Sequence, residues 1–372
     1  MTEIFPIENL HNLARHLGIT RLADITGLDI VGLPVVQAVR PFSLSNAVSQ
    51  GKGQTIAAAT LSAVFESAES FAAEQLKNFD VTFASADDLG IPANRFENHL
   101  LNGNSSGWRQ RTLPWIEARN LVNDEVAMLP LELVHTAYVL PRDTHDGVFC
   151  GSTTGLAAAF EAHDATQHGM LECIERDAIA RAHKTHGFLQ RRRIDPDTIR
   201  DQDVCNLIKA LQQRGFLVGL WHAQSPTGVP VIWCHLIENC EPGLALMPFP
   251  AEGSAARLDA AAAITHAIYE AAQSRLTAIS GARDDFTRRN YPKYPDWQML
   301  RAHRKLLAEC LKEIHFDDVQ NEFSSGKDGL LSKLEATGHG DVYEVQLEHG
   351  VMPAGVAVRK IVIPSLLPLL EG

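Results

Sequence analysis

The sequence predicts a layered α/β (α+β) fold in which mixed β-sheets pack against long helices. Three observations carry that expectation. Strand-like and helix-like segments alternate irregularly, which suits stacked layers better than a barrel. Three long apolar helical runs stand among the strands, and no linker divides the 372 residues, so 1–372 reads as one domain. An apolar fraction of 45% supplies a sizeable core.

In chain order, "LDIVGLPVVQAVRP" reads as paired strands broken at Gly32 and Pro34. "SQGKGQT" is a turn, and "IAAATLSAVFESAESFAAEQL" after it is a long helix. Residues 79–140 alternate short strands and loops, with a solvated tip at "NGNSSGWRQR". "DGVFCGSTTGLAAA" is a strand and glycine turn leading to a second helix, which contains "MLECIERDAIARAH" with Leu171, Ile174 and Ala178 as a buried stripe. "GFLVGLWHAQSPTGVPVIWCHLIE" alternates like a hairpin turning at Pro226, Thr227 and Gly228, and "AARLDAAAAITHAIYEAAQSRLTAIS" is the third long helix. Residues 283–328 are polar loop or exposed helix, and "VYEVQLEH" and "AVRKIVIP" close the chain as strands. Segments 46–70 and 148–176 share a plan of strand, glycine turn and Glu-x-x-Glu helix, a candidate internal repeat.

The net charge of −12 disfavours non-specific nucleic-acid or anionic-membrane partners, whose phosphates would repel the surface. Six scattered cysteines contain no CxxC pair, so reduced thiols are expected rather than a disulfide framework. The N-terminus "MTEIFPIENLHNLARHLG" does not read as a secretory signal, and "IVIPSLLPLL" is too short to span a bilayer. A soluble cytoplasmic protein is expected.

Each long helix carries a narrow polar stripe. Ser62, Glu66 and Glu69 fall at i, i+4, i+7; His168, Glu172 and Glu175 do the same, with Asp164 one turn earlier; His266, Glu270 and Gln273 repeat the spacing. At 100° per residue each trio stays within roughly 60° of one line. Between Ile56 and Ala73 only Glu66 and Glu69 ionise, among Leu61, Val64, Phe65 and Phe71, and a solvated helix would carry a broader charged face. Buried carboxylates need a partner from elsewhere in the fold or a bound cation. Acidic stripes from separate helices are a way to assemble a hard-cation site, and oxygen ligands favour Mg2+ over zinc or copper. Mg2+ bridges to phosphates, which makes a nucleotide the natural co-ligand and gives Lys52 a role beside a helix N-terminus. That loop is neither a P-loop nor a G-x-G-x-x-G fingerprint. Arg176, Arg275 and Arg283 follow the stripes as candidate phosphate contacts, while Asp284 and Asp285 read as a cap or turn.

Together, "GKG…SAVFESAE", "TTGLAAA…HGMLECIERDA" and "HAIYEAAQSRLTAISGARDD" resemble the three nucleotide-binding motifs of the YcaO family, and the opening and closing segments are similar to it too. The resemblance runs over essentially the whole chain. It implies long helices and sheets around a central Mg–ATP site, and an ATP-dependent enzyme that phosphorylates a peptide backbone amide attacked by a nucleophile. Azolines, thioamides or amidines are the products. It further implies that Glu66, Glu69, Glu172 and Glu175 hold Mg2+, and that Ser62, Arg176, Glu270 and Gln273 hold ATP. Lys52, Asp164, His168, His266, Arg275 and Arg283 complete the expected ATP set.

The chain departs from those motifs at several positions. Ser70 and His266 stand where Arg is common, Ala157 for Ser, Asp164 for Glu, His168 for Gln, and Phe160 for a nucleotide-contacting Asn. The ending "PSLLPLLEG" lacks the Pro-x-Pro-x-Pro of azoline-forming cyclodehydratases. That resembles members acting beside a TfuA-like partner in thioamide formation on a precursor peptide or protein, and a homodimer is the family expectation. Three alternatives stand beside it: an azoline-forming component, a non-catalytic peptide-binding scaffold motivated by Phe160, and a di-metal hydrolase.

Overall fold

The computed structural model describes residues 7–75, 77, 79–101, 107–139, 143–241, 245–247, 249–283, 297–308, 314–319 and 326–369. Its first half holds α1 (Ile7–His16), β1 (Arg21–Asp24), β2 (Val35–Val39), β3 (Val48–Lys52), α2 (Ile56–Ala73), β4 (Val81–Ala84), β5 (Leu113–Asn120), β6 (Val126–Pro130), β7 (Leu156–Ala159) and α3 (Ala162–Lys184). There follow α4 (Phe188–Arg191), α5 (Gln202–Gln213), β8 (Phe216–His222), β9 (Val231–Glu238), β10 (Ala251–Ala256) and α6 (Ala260–Ser280). The chain continues through α7 (Trp297–Ala308), α8 (Gly326–Ala336), β11 (Tyr343–Gln346) and β12 (Ala357–Val362).

These elements form three sheets. Two have three strands, in orders β1-β2-β3 and β10-β9-β8; the six-stranded one runs β4-β5-β11-β12-β7, with β6 also on β5. Every pairing between these strands is antiparallel. One long helix lies on each sheet: α2 on β3 and β2, α3 on β12 and β7, α6 on β10 and β9. Each helix also reaches the sheet of another unit, α2 touching β7, α3 touching β10 and α6 touching β3. The three units thereby close into a ring.

Small residues let the helices sit close. Alanines cover α2 on both sides, Ala59 and Ala63 against Val36 and Ala38 of its own sheet and Ala68 and Ala72 in the cluster of the six-stranded sheet, all four fully covered. A Cβ on Gly51 of β3 would stand 2.0 Å from the Ala59 carbonyl oxygen and 2.1 Å from the Ala63 nitrogen. Gly253 of β10 meets α6 the same way, 2.4 Å from Ala267 O and 2.2 Å from Ala271 N. Thr55 caps α2 by accepting from Ala58 N, Asp259 caps α6 by accepting from Ala262 N, and Gly281 (φ 58°) ends α6 in the left-handed region. The interior divides into three large apolar clusters, one under α2 and the six-stranded sheet, one under α6 and α5, and one around α3, α7 and α8.

The 216–238 hairpin, the three long helices and the two closing strands form as the patterns predict. Some boundaries differ. Ser49–Lys52 belongs to β3 rather than to a turn, so Lys52 is a strand end fixed by pairing with Val35. Residues 29–34 form no strand, and β2 pairs instead with β1 and β3. The nearer structural repeat of β3–α2 is β10–α6, matched by the Gly51 and Gly253 contacts, rather than β7–α3. Residues 102–106 of the predicted tip, Asp284 and Asp285 lie outside the described residues, as does much of 283–328. No described helix is long and apolar enough to cross a membrane.

Candidate active site

β3, β7 and β10 each lie at one edge of their sheet, and all three line one cavity of about 1170 Å³. An edge strand leaves backbone groups unpaired. Here the polar stripes of the helices satisfy them. Gln50 N of β3 donates to Glu66 Oε2 (3.2 Å), and Ala158 N of β7 donates to Glu69 Oε1 (2.9 Å). Gly155 N, just before β7, donates to Glu172 Oε2 (3.0 Å). Glu175 takes Ser254 Oγ (2.7 Å) and Ala256 N (3.2 Å) from β10, and Gln273 Nε2 donates to Gln50 O (2.8 Å). Lys52 Nζ lies 2.7 Å from Glu270 Oε2. A polar residue of each helix thus fastens it to the edge strand of the next unit: α2 to β7, α3 to β10, α6 to β3.

The same bonds leave carboxylate oxygens turned to the cavity. Glu66 and Glu69 each accept one N–H, on one oxygen. Burial, only partly offset by Arg283, the Gln50 N–H and Lys52, pushes Glu66 up to about 7. Burial raises Glu69 well above the usual carboxylate range, and the charges of Glu172 and Glu66 add to it. Glu172 is raised by burial and by Glu175, against Arg176, whose Nη2 stands 3.5 Å away. Glu270 goes the other way: burial raises it, but Lys52, Arg176 and the Ser254 N–H together bring it below its ordinary value. The result is a crowded set of acids that favours a cation. Glu175 differs from the other three, since both its oxygens are engaged by β10. Among the described residues no three ligand groups stand close enough to enclose an ion unaided. That donor set suits Mg2+, which takes one or two carboxylates and completes its shell with water and phosphate oxygens.

Of the residues singled out from sequence, Lys52, Ser62, Glu66, Glu69, His168 and Glu172 line the cavity. Glu175, Arg176, Glu270, Gln273 and Arg283 line it as well. Three are not brought to its wall. Asp164 lies outside, its side chain 58% exposed beside His163. His266 is exposed and meets the site only through Arg257, whose Nη2 is 3.0 Å from its Nδ1. Arg275 is turned away altogether, which corrects its expected phosphate role. Its side chain, 1% exposed, forks onto Asp29 (2.6 and 3.0 Å), reaches Glu238 (2.8 Å) and lies over Phe216. Arg257 itself, on the turn from β10 to α6, lines the cavity and carried no periodic signal in the sequence. Phe160 packs edge-on against Phe65 (4.8 Å), a cavity-wall residue, while Ser70 and Ala157 stand at the wall. Leu369 reaches it from the C-terminal segment.

Residues 50–367 match the sequence profile of a family described as YcaO cyclodehydratase, ATP- and Mg2+-binding. The chain belongs to the YcaO family. It is accordingly an enzyme with ATP and Mg2+ as cofactors. It is 30% identical over 360 residues to an uncharacterized protein of Methanothermobacter thermautotrophicus, covering 94% of this chain and 90% of that one. An uncharacterized protein encoded in the tfuA 3′ region of Rhizobium leguminosarum bv. trifolii is 28% identical over 379 residues, covering 95% and 84%. The fold is shared with the YcaO protein of Methanopyrus kandleri, solved with AMPPCP and Mg2+, at a TM-score of 0.73 and 22% identity over 97% of this chain and 91% of that one.

Proposed function

We propose that this YcaO-family enzyme activates a peptide backbone amide at the expense of ATP, for thioamide formation beside a TfuA-like partner in the cytoplasm. The observation that carries the proposal is the convergence of Glu66, Glu69 and Glu172, burdened by burial and mutual repulsion, with Lys52, Arg176 and Arg283 in one large cavity. Bound Mg–ATP supplies a γ-phosphoryl group that converts the amide oxygen into a leaving group. On this reading Glu66, Glu69 and Glu172 present oxygens to the metal, and Glu175 fixes α3 to β10. Lys52, Arg176 and Arg283 neutralise phosphate charge, and Glu270 sets the position of the Lys52 ammonium. Gln273 and Ser62 flank the same wall. The cavity, at about 1170 Å³, lies just above the roughly 300–1,000 Å³ of an ordinary small-molecule pocket, which supports a substrate seated beside the nucleotide. The TfuA link rests on the gene position of the Rhizobium relative.

The test is incubation with Mg–ATP, a sulfide source, a TfuA-like protein and peptides encoded nearby, followed by mass spectrometry and ADP measurement. Exchange of oxygen for sulfur, dependent on ATP, is expected. Loss of water instead would favour azoline formation. Tight peptide binding with no ATP turnover would favour a scaffold, and amide hydrolysis without ATP a di-metal hydrolase.

A further inference from the structure

The cations of the cavity differ in how their charge is met. Lys52 is paired with Glu270 at 2.7 Å, and Arg176 stands 3.5 and 3.8 Å from Glu172 and Glu175. Arg257 is held differently from these two. Its Nη1 donates to Ala256 O (2.7 Å), its Nη2 to His266 Nδ1 (3.0 Å), and among the described residues no carboxylate lies within ion-pair distance of it. Yet its guanidinium faces the site: Glu175, Glu270 and Glu172 act on it from a distance, and burial lowers its pKa.

Its two hydrogen-bond acceptors are both neutral. A guanidinium only donates, so the His266 Nδ1 that it reaches is an unprotonated acceptor, and desolvation of the inner part of the ring together with the charges of Arg257, Lys52 and His168 keeps this imidazole neutral despite its exposed edge. A positive group in a half-dry cavity, held in place by neutral acceptors, retains nearly its whole charge for an incoming anion. The anchoring is also directional. The β10–α6 turn fixes the backbone through Arg257 N to Pro230 O (3.2 Å), and the ring of His266, nine residues on along α6, fixes the tip of the fork.

From this geometry we infer that Arg257 is a phosphate-binding residue of the nucleotide site and that His266 is its positioning residue, acting through Nδ1 as acceptor. The inference rests on the ATP reading above and deepens it. It also gives His266, which stands where Arg is common in the motif, a part to play without touching the nucleotide: the guanidinium comes from the strand end and the helix side chain aims it.

Titration calorimetry of the full chain with Mg–AMPPNP tests this without any peptide substrate. Arg257→Gln is expected to weaken binding about ten- to a hundredfold, the usual loss for a charge-assisted hydrogen bond. Arg257→Lys, which keeps the charge and loses the fork, should recover part of that. His266→Ala should weaken binding in the same direction, and His266→Asn, whose amide oxygen can accept in place of Nδ1, should restore it. A merely structural role for His266 would not separate Asn from Ala in affinity at equal thermal stability. Wild-type affinity in Arg257→Gln overturns the inference while leaving the ATP reading intact. Absence of nucleotide binding by the wild-type chain overturns both.

Discussion

Replacing Glu66 by Gln separates the needs of the site from those of the fold. In the ligand-free chain, ionising a carboxyl raised from its ordinary 4.5 to about 7 costs about 3 kcal/mol, at roughly 1.4 kcal/mol per pH unit. The folded chain holds that proton more tightly than the unfolded chain does. Its stabilising effect is therefore complete below pH 4.5 and is lost as pH climbs through 7. Gln is neutral at every pH and its amide oxygen still accepts from Gln50 N. The variant should therefore match the wild type near pH 4.5 and exceed it by about 3 kcal/mol at pH 8. Spread over about 2.1 cal/mol/K per residue, that is a rise in Tm of about 4 °C for 372 residues. Affinity for Mg–AMPPNP should fall at least tenfold at the same pH, because the lost charge is the one facing the metal. Melting curves at pH 5 and 8 with parallel calorimetry read both. A Tm that drops at pH 8, or undiminished Mg–nucleotide affinity, refutes the picture of a strained acid held ready for a cation.

Two further substitutions address the frame. Arg275→Met strands Asp29 and Glu238 in the interior and should cost about 3–5 kcal/mol in urea unfolding, while the folded fraction binds Mg–AMPPNP as the wild type does. A selective loss of nucleotide affinity would return Arg275 to the phosphate set. Gly51→Ala pushes a methyl group into the α2 backbone and should cost about 1–3 kcal/mol or more, with nucleotide affinity falling too because Lys52 and Glu66 shift together. An unchanged urea midpoint would show that β3 and α2 do not need that close approach.

The sites of the carboxylates were legible because charge is so scarce on their helices: two ionisable groups in the eighteen residues of α2 announce a polar line on an otherwise covered cylinder. The partners of that line were not legible. The sequence calls for a partner from elsewhere in the fold or a bound cation without naming the partner, and the structure supplies the N–H groups of three edge strands, which depend on which strands end their sheets. Arg275 was misread for a reason that helix arithmetic contains. It lies five residues past Glu270, about 140° round the helix from it, which puts it on the buried side. Asp164 shares the stripe, but it sits in the first turn of α3, beyond the cavity rim. Arg257 lies on a turn, where no period marks direction, and only the proximity of His266 reveals it. The Glu-x-x-Glu pattern points to a repeat of 46–70 in 148–176, whereas the structural likeness lies in glycines that meet helix backbones, Gly51 and Gly253.

Because each helix is fastened to the strand of the following unit, the nucleotide pocket exists only as a closed loop of three dependencies. Without magnesium the clustered acids act as a wedge at the centre of that loop; with a metal-bound triphosphate the same centre becomes a keystone. Occupancy should therefore tighten all three sheets at once, and slowed proteolysis or amide exchange at β3, β7 and β10 together would record it far from any single contact.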